Sequence, residues 1–233
     1  MAHMSKKELK RPDEFWQKSR SFVEWLGVHG LQVGISLAVI FIIIIVSVYS
    51  NQVAKKKEGM AQYHLSLAKT HFEQWKLEKK DAEKKKSMEA LSQELNELQS
   101  QYAKSAANHL AMLIRAELAI DQGKWTEVIN YYQAYGKFLP EKDRIFGNYP
   151  LAKAYEQAGD FTKALEVYEG ILKVNGSSYE EGALLGKART LRLLTRFQEA
   201  EATYQEFIDK FPDSSDIGSV RGLIVLTRQI SAP

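Results

Sequence analysis

The groups in this 233-residue chain that could bind a metal or move a proton are five histidines and 29 carboxylates, with no cysteine. His64 and His71 stand seven apart and share a helix face, as a two-histidine metal site would require. No Asp, Cys or third His accompanies them at ligand spacing, so they read as surface or packing histidines. His3 falls in Met1-Ala2-His3-Met4, which reads as an expression-vector leader, His29 borders an apolar segment, and His109 stands alone. The absence of Cys removes disulfides, thiolate zinc sites, a Cys nucleophile and a lipid-attachment Cys. No Gly-rich phosphate loop and no Gly-x-Ser-x-Gly elbow is present, and the paired acids Glu180-Glu181 sit where a solvated turn is expected. The expectation is a non-enzymatic protein with no catalytic residues, no cofactor and no metal.

Charge points away from nucleic acid as a partner. The net charge is only +3, and its excess lies early in the chain. Residues 1–25 carry six bases and four acids, residues 55–104 eleven and eight, and residues 105–233 fifteen and seventeen. Between Glu24 and Lys55 there is no charged side chain. Within that window Leu31 to Tyr49 reads LQVGISLAVIFIIIIVSVY, apolar on every side. A bilayer core needs about 20 such residues, and nothing else in the chain could bury a helix of this kind. The segment is longer than the apolar region of about 7–15 residues in a cleavable signal, although Val48-Tyr49-Ser50 could pass as a cleavage site. A transmembrane helix over 28–50 is therefore expected. Six bases precede it and Lys55, Lys56, Lys57 and Lys69 follow, a bias that favours a cytoplasmic N-terminus. Residues 1–27 read as a tail with a short amphipathic helix from Asp13 to Leu26. Arg11-Pro12-Asp13 would open it, with Phe15, Phe22, Leu26 and two Trp at headgroup level; a disordered tail is the alternative.

Beyond residue 105 the chain repeats itself every 36 residues, three times. Ala116, Ala152 and Ala188 correspond, as do Gly123, Gly159 and Thr195, each followed by a charged residue. The aromatics Trp125, Phe161 and Phe197 come next, then Val128, Ala164 and Ala200, then Tyr132, Tyr168 and Tyr204. Tyr135, Ile171 and Phe207 follow, and Pro140, Gly176 and Pro212 close each unit. A Gly-plus-polar turn ends one helix and starts an antiparallel partner. Small residues let the two helices approach, and Pro or Gly stops the second. Such hairpins cannot bury their apolar faces singly, so they must stack.

Leu151-Ala152-x-x-Tyr155, Gly159, Phe161, Ala164 and Tyr168 resemble the tetratricopeptide repeat. The period of 36 in place of 34, and Ala119 and Leu191 in place of a Tyr, suggest an altered superhelix. The expected fold is all-α: one N-terminal transmembrane helix, then a tetratricopeptide-like solenoid. Residues 51–104 read as a degenerate first repeat with a Lys-rich insertion over Lys76 to Lys86. Tyr63, Leu67 and Phe72 would lie on its first helix, and Leu91, Leu95, Leu98 and Tyr102 on its second. Residues 105–233 hold three repeats and a capping helix over Ser219 to Ile230, with Val220, Leu223, Leu226 and Ile230 on its packed side. The resemblance implies binding through the concave face of the first helices. Transferred by register, that face carries Tyr149, Lys153, Arg189 and Arg192, with Glu117, Asp121 and Glu156 opposing. The bases could grip an acidic peptide or a terminal carboxylate, or the face could be an ordinary solvated surface.

The layout of tail, apolar helix and repeats, with Tyr102 to Ala119 reading YAKSAANHLAMLIRAELA, is similar to the membrane-anchored ancillary subunit family of the bacterial Sec translocon. That resemblance implies a single-pass inner-membrane protein with a cytoplasmic N-terminus. Its periplasmic repeats would bind protein partners, among them translocon and chaperone components, but no nucleic acid. A structural envelope subunit that self-associates or bridges to the cell wall is the alternative, as is a cytoplasm-facing peptide receptor.

Overall fold

The computed structural model describes residues 14–174, 176 and 178–231. All regular structure among them is helical, in nine α-helices and one short 3-10 turn, Glu141–Asp143. The chain divides into two units, one ending at Lys56 and one beginning at Lys57. Helix α1, Glu14–Leu77, contributes to both.

In the first unit the apolar stretch of α1 leaves its side chains unburied, and by length and composition it can cross a membrane. Two of its hydroxyls bond within the helix: Ser36 Oγ donates to the Gln32 carbonyl and Ser50 Oγ to that of Ser47, both at 2.9 Å, so these two need no water. A separate amphipathic helix ending at Leu26 is not what forms, because the backbone stays helical through Gly27, Gly30 and Gly34 into the apolar run. Each glycine costs about 1 kcal/mol in a helix but none forces a break, and no proline intervenes. Phe22 stacks on Trp25, and Trp25 on His29, with centroids 6.2 and 5.0 Å apart. The Arg11-Pro12-Asp13 opening and the Phe15 side chain lie outside the described residues.

The second unit opens on a hairpin of the last turns of α1 against α2, Asp81–Gln101. The Lys-rich run is mostly helix, since only residues 78–80 leave it. Ala61, Leu65, Ala68 and Phe72 form the buried stripe, packed on Leu91, Leu95 and Leu98. Tyr63 lies on this helix as expected and is 57% exposed, the small residues Ala61 and Ala68 taking the contact line. His64 Nδ1 lies 2.7 Å from Glu94 Oε2 across the hairpin, so this histidine is a packing partner of α2. Helix α3, Ala106–Asp121, starts against the same hairpin. Ser105 caps it by accepting the Asn108 N–H at 3.0 Å, and the Glu58 carboxylate of α1 accepts the N–H groups of Ala106 and Ala107 at 3.1 and 3.2 Å. A carboxylate there satisfies unpaired donors and opposes the positive end of the helix dipole.

The hairpins that follow are α3 with α4 (Trp125–Phe138), α5 (Ile145–Gln157) with α6 (Phe161–Leu172), and α7 (Glu180–Leu193) with α8 (Phe197–Lys210). Each second helix begins on its repeat aromatic. Every first helix ends the same way. The N–H groups of Lys124, Asp160 and Arg196 reach back five residues to Ala119, Tyr155 and Leu191, all at 2.9 Å. The N–H groups of Gly123, Gly159 and Thr195 meanwhile bond three residues back. This paired closure is the Schellman motif, and it places the residue before the charge in the left-handed region. Gly123 and Gly159 adopt φ of 67° and 79°, and Thr195 is held at 59°. A β-branched residue there is strained by roughly 1–2 kcal/mol. Thr195→Gly is thus expected to raise the unfolding free energy by about 1 kcal/mol, read as a higher denaturation midpoint with an unchanged slope.

Packing repeats with the turns. Ala116, Ala152 and Ala188 are fully buried, as are Val128, Ala164 and Ala200. Tyr168 and Tyr204 are likewise buried, whereas Tyr132 is half-buried. Helix α9, Ile217–Ser231, packs on α8 and α7 as another first helix in the same register. Its buried residues Val220, Ile224 and Thr227 stand 36 beyond Leu184, Ala188 and Leu191, which are buried in α7. Leu226 and Ile230, expected on the packed side, are instead 42% and 50% exposed. The solenoid register, not the helix's own apolar spacing, decides which side faces inward.

Candidate functional site

Between the second and third of these hairpins lies a buried polar cluster. Glu156, in the last turn of α5, has a side chain only 6% exposed. Arg189 of α7 clasps it with two N–H groups: Nη2 donates to Oε2 at 2.8 Å and Nε donates to Oε1. The Tyr168 hydroxyl of α6 donates to the same Oε2 at 3.1 Å. A bidentate guanidinium and a phenol together satisfy a carboxylate that would otherwise be costly to bury. Burial pushes the Tyr168 phenol up, and the adjacent Glu156 charge pushes it further, so the hydroxyl stays a donor.

Tyr149, one turn into α5, stacks on Tyr179 at 4.9 Å between centroids and meets Tyr168 edge-on at 6.3 Å. The Lys153 ammonium lies 5.8 Å from the Tyr149 ring. Burial raises the Tyr149 phenol, and the Arg189 charge partly offsets this. Two glycines of α7 make room for these rings. A Cβ on Gly182 would strike Tyr149, and one on Gly186 would strike Tyr168.

The expected face residues are therefore divided among four settings. Tyr149, half-buried, and Lys153, exposed, form one aromatic–cation pair. Arg189 is turned onto Glu156, which lies inside and not across a groove from the bases. Arg192, one turn further, lines a cavity of about 250 Å³ between α7, α8 and α9, which Tyr204 also lines. Glu117 and Asp121 are elsewhere: Glu117 pairs with Lys76 at 3.6 Å, and both acids line a cavity of about 330 Å³ with Phe72, Trp75 and Lys84. Tyr179, Tyr204 and Asp216 were not foreseen as part of this surface. Tyr204 was legible only as a repeat tyrosine filling the core, which its ring does. Nothing in the periodicity signals where its hydroxyl points. No cluster of three metal-ligating side chains occurs among the described residues.

Residues 149–215 match the tetratricopeptide repeat family, a stretch that runs from the start of this cluster in α5 to the segment before α9. No curated protein matches the chain. The class is that of a tetratricopeptide-like helical-repeat protein, and repeats of this kind are protein-interaction scaffolds. The match and the geometry coincide on α5 to α8, where the polar cluster sits.

Proposed function

We propose that this protein is a membrane-anchored, non-enzymatic scaffold whose repeats hold protein partners at the periplasmic face of the bacterial inner membrane, linking the Sec translocon to periplasmic chaperones. The apolar length of α1 would span the bilayer with the N-terminus in the cytoplasm. The observation that carries the reading is the surface on the matched repeats, which presents the exposed Lys153 over the half-buried Tyr149 ring and, separately, Arg192 in its cavity. Aromatic and Arg side chains supply contact area and directed hydrogen bonds to a polypeptide. The support for the partner identity is the likeness of the whole layout to the translocon ancillary family.

A photo-crosslinking residue at Lys153, in the full chain expressed in native membranes, tests the proposal. Adducts with a translocon subunit or a periplasmic chaperone are the expected result. Adducts only between copies of this chain would establish a self-associating envelope subunit instead, and a reporter at the C-terminus active in the cytoplasm would overturn the periplasmic placement.

A further inference from the structure

The second unit handles charge differently at the two ends of its helices. At the turn inside each of the three repeat hairpins, a base is held by an acid three residues away. Lys124 meets Glu127 at 3.8 Å, and the pairs Lys163–Asp160 and Arg196–Glu199 both close to 2.6 Å. At the opposite end, where one hairpin passes to the next, the first two connections carry Lys104, Lys137, Lys142 and Arg144, all exposed. None of these four forms an ion pair among the described residues. The nearby acids are Glu141 and Asp143 in the same connection, and Glu58, whose carboxylate is taken up by the N–H groups of Ala106 and Ala107. The last connection is acidic instead, with Asp213 and Asp216. The unpaired bases are therefore gathered at the α1 side of this end.

Large apolar rings stand among them. Phe138 and Phe146 flank the second connection with 40% and 50% of their surface exposed. Contacts within the unit tie this group to the place where the chain enters it. Glu58 holds the first turn of α3, and His109 in that turn stacks on Phe138 with centroids 4.1 Å apart. Lys57, where the unit begins, follows Tyr49 of the apolar run by eight residues. Eight residues reach at most ~29 Å even when fully extended. With the apolar run anchored in lipid, covalent connection alone keeps headgroups within reach of these loops. Bases that meet phosphate beside rings that enter the acyl boundary are the combination an anionic bilayer surface accepts. The tether supplies a high effective concentration, so a few such contacts suffice.

We propose that this end of the second unit docks on the anionic phospholipid surface around the anchor, with Lys104, Lys137, Lys142 and Arg144 on lipid phosphates and Phe138 and Phe146 in the headgroup layer. The inference rests on the membrane-anchored reading and adds a second, reversible contact with lipid. Lipid composition and ionic strength then govern how freely the repeats move about their anchor.

The chain has no cysteine, so a single fluorophore can be placed by substitution. The full chain labelled at Glu141→Cys is reconstituted in nanodiscs of phosphatidylcholine, alone or in equal mixture with phosphatidylglycerol, each doped with headgroup spin-labelled lipid as quencher. Quenching is expected in the mixture, with less in phosphatidylcholine alone and less at high salt. A label at Gln122→Cys, in a turn at the opposite end, should stay unquenched. Lys142→Gln and Arg144→Gln should each lower the docked-to-undocked ratio about fivefold, the worth of one base at an anionic surface, without moving the thermal midpoint. Equal quenching of the two labels, or quenching indifferent to phosphatidylglycerol or to both base variants, would overturn the proposal. Protection of the Glu141→Cys label by polyglutamate but not by phosphatidylglycerol would overturn it in favour of an acidic protein surface. A third label, Ile43→Cys, read against lipid spin-labelled in the acyl chain, separates the two claims. Its quenching beside an unquenched Glu141→Cys would remove the docking proposal and leave the anchor; no quenching at either would remove both.

Discussion

Arg189→Ala is expected to lower the unfolding free energy by about 3–5 kcal/mol, because it strands a buried carboxylate. Glu156 would keep only the Tyr168 hydroxyl, in a place where its side chain is 6% exposed. The reverse change should cost less. In Glu156→Ala the Arg189 side chain, already 44% exposed, can turn toward water. The pair thus breaks asymmetrically, and the order of the two variants in urea midpoint checks it. Removing both charges together, as Glu156→Leu with Arg189→Met, should recover most of the loss, since apolar groups of similar volume often replace a buried pair at little cost. A double-mutant cycle then isolates the coupling. Equal losses for the two single variants would show that Glu156 is hydrated in solution.

Gly186→Ala and Gly222→Ala are expected to change stability in opposite directions. In an isolated helix both should stabilise by up to about 1 kcal/mol, because Ala is the better helix former. At Gly222 the new Cβ meets nothing within 4 Å, so that gain should appear. At Gly186 it would run into the Tyr168 ring, whose hydroxyl is tied to Glu156 and which has no free volume to move into. Overpacking of that kind typically costs about 1–3 kcal/mol, which outweighs the propensity term. Urea denaturation of the two variants beside the parent reads the sign directly. Gly186→Val should fare worse than Gly186→Ala, adding branched atoms at the same place.

Much of the fold was readable from local chemistry. The three turns recur because a helix that closes with a Schellman motif needs a left-handed residue, and Gly123, Gly159 and Thr195 announce it at equal spacing. The apolar run of α1 is legible for a similar reason, since length and composition alone decide whether a helix can cross lipid. Where the reading failed, a neighbour had the deciding vote. The packed side of α9 follows α7 through the solenoid register, which left Leu226 and Ile230 exposed. In the first hairpin the helix carrying Tyr63 was legible but its buried side was not, since the contact line passes through the small Ala61 and Ala68.

The candidate site divides along the same line. The residue types on the first helices of the matched repeats, Tyr149, Lys153, Arg189 and Arg192, were set by sequence position and could be named from the period. Their states could not. Arg189 pairs with Glu156 across 33 residues, three short of the repeat, so no alignment of the units with one another reveals the bond. Arg192 makes no ion pair among the described residues, where the helix packed beside it presents Val225 at the position α7 gives to Arg189. Both facts depend on which helix lies against which and at what offset. A 36-residue period determined by itself that there would be hairpins and where they turn; only their stacking decided which charges are paired inside the protein.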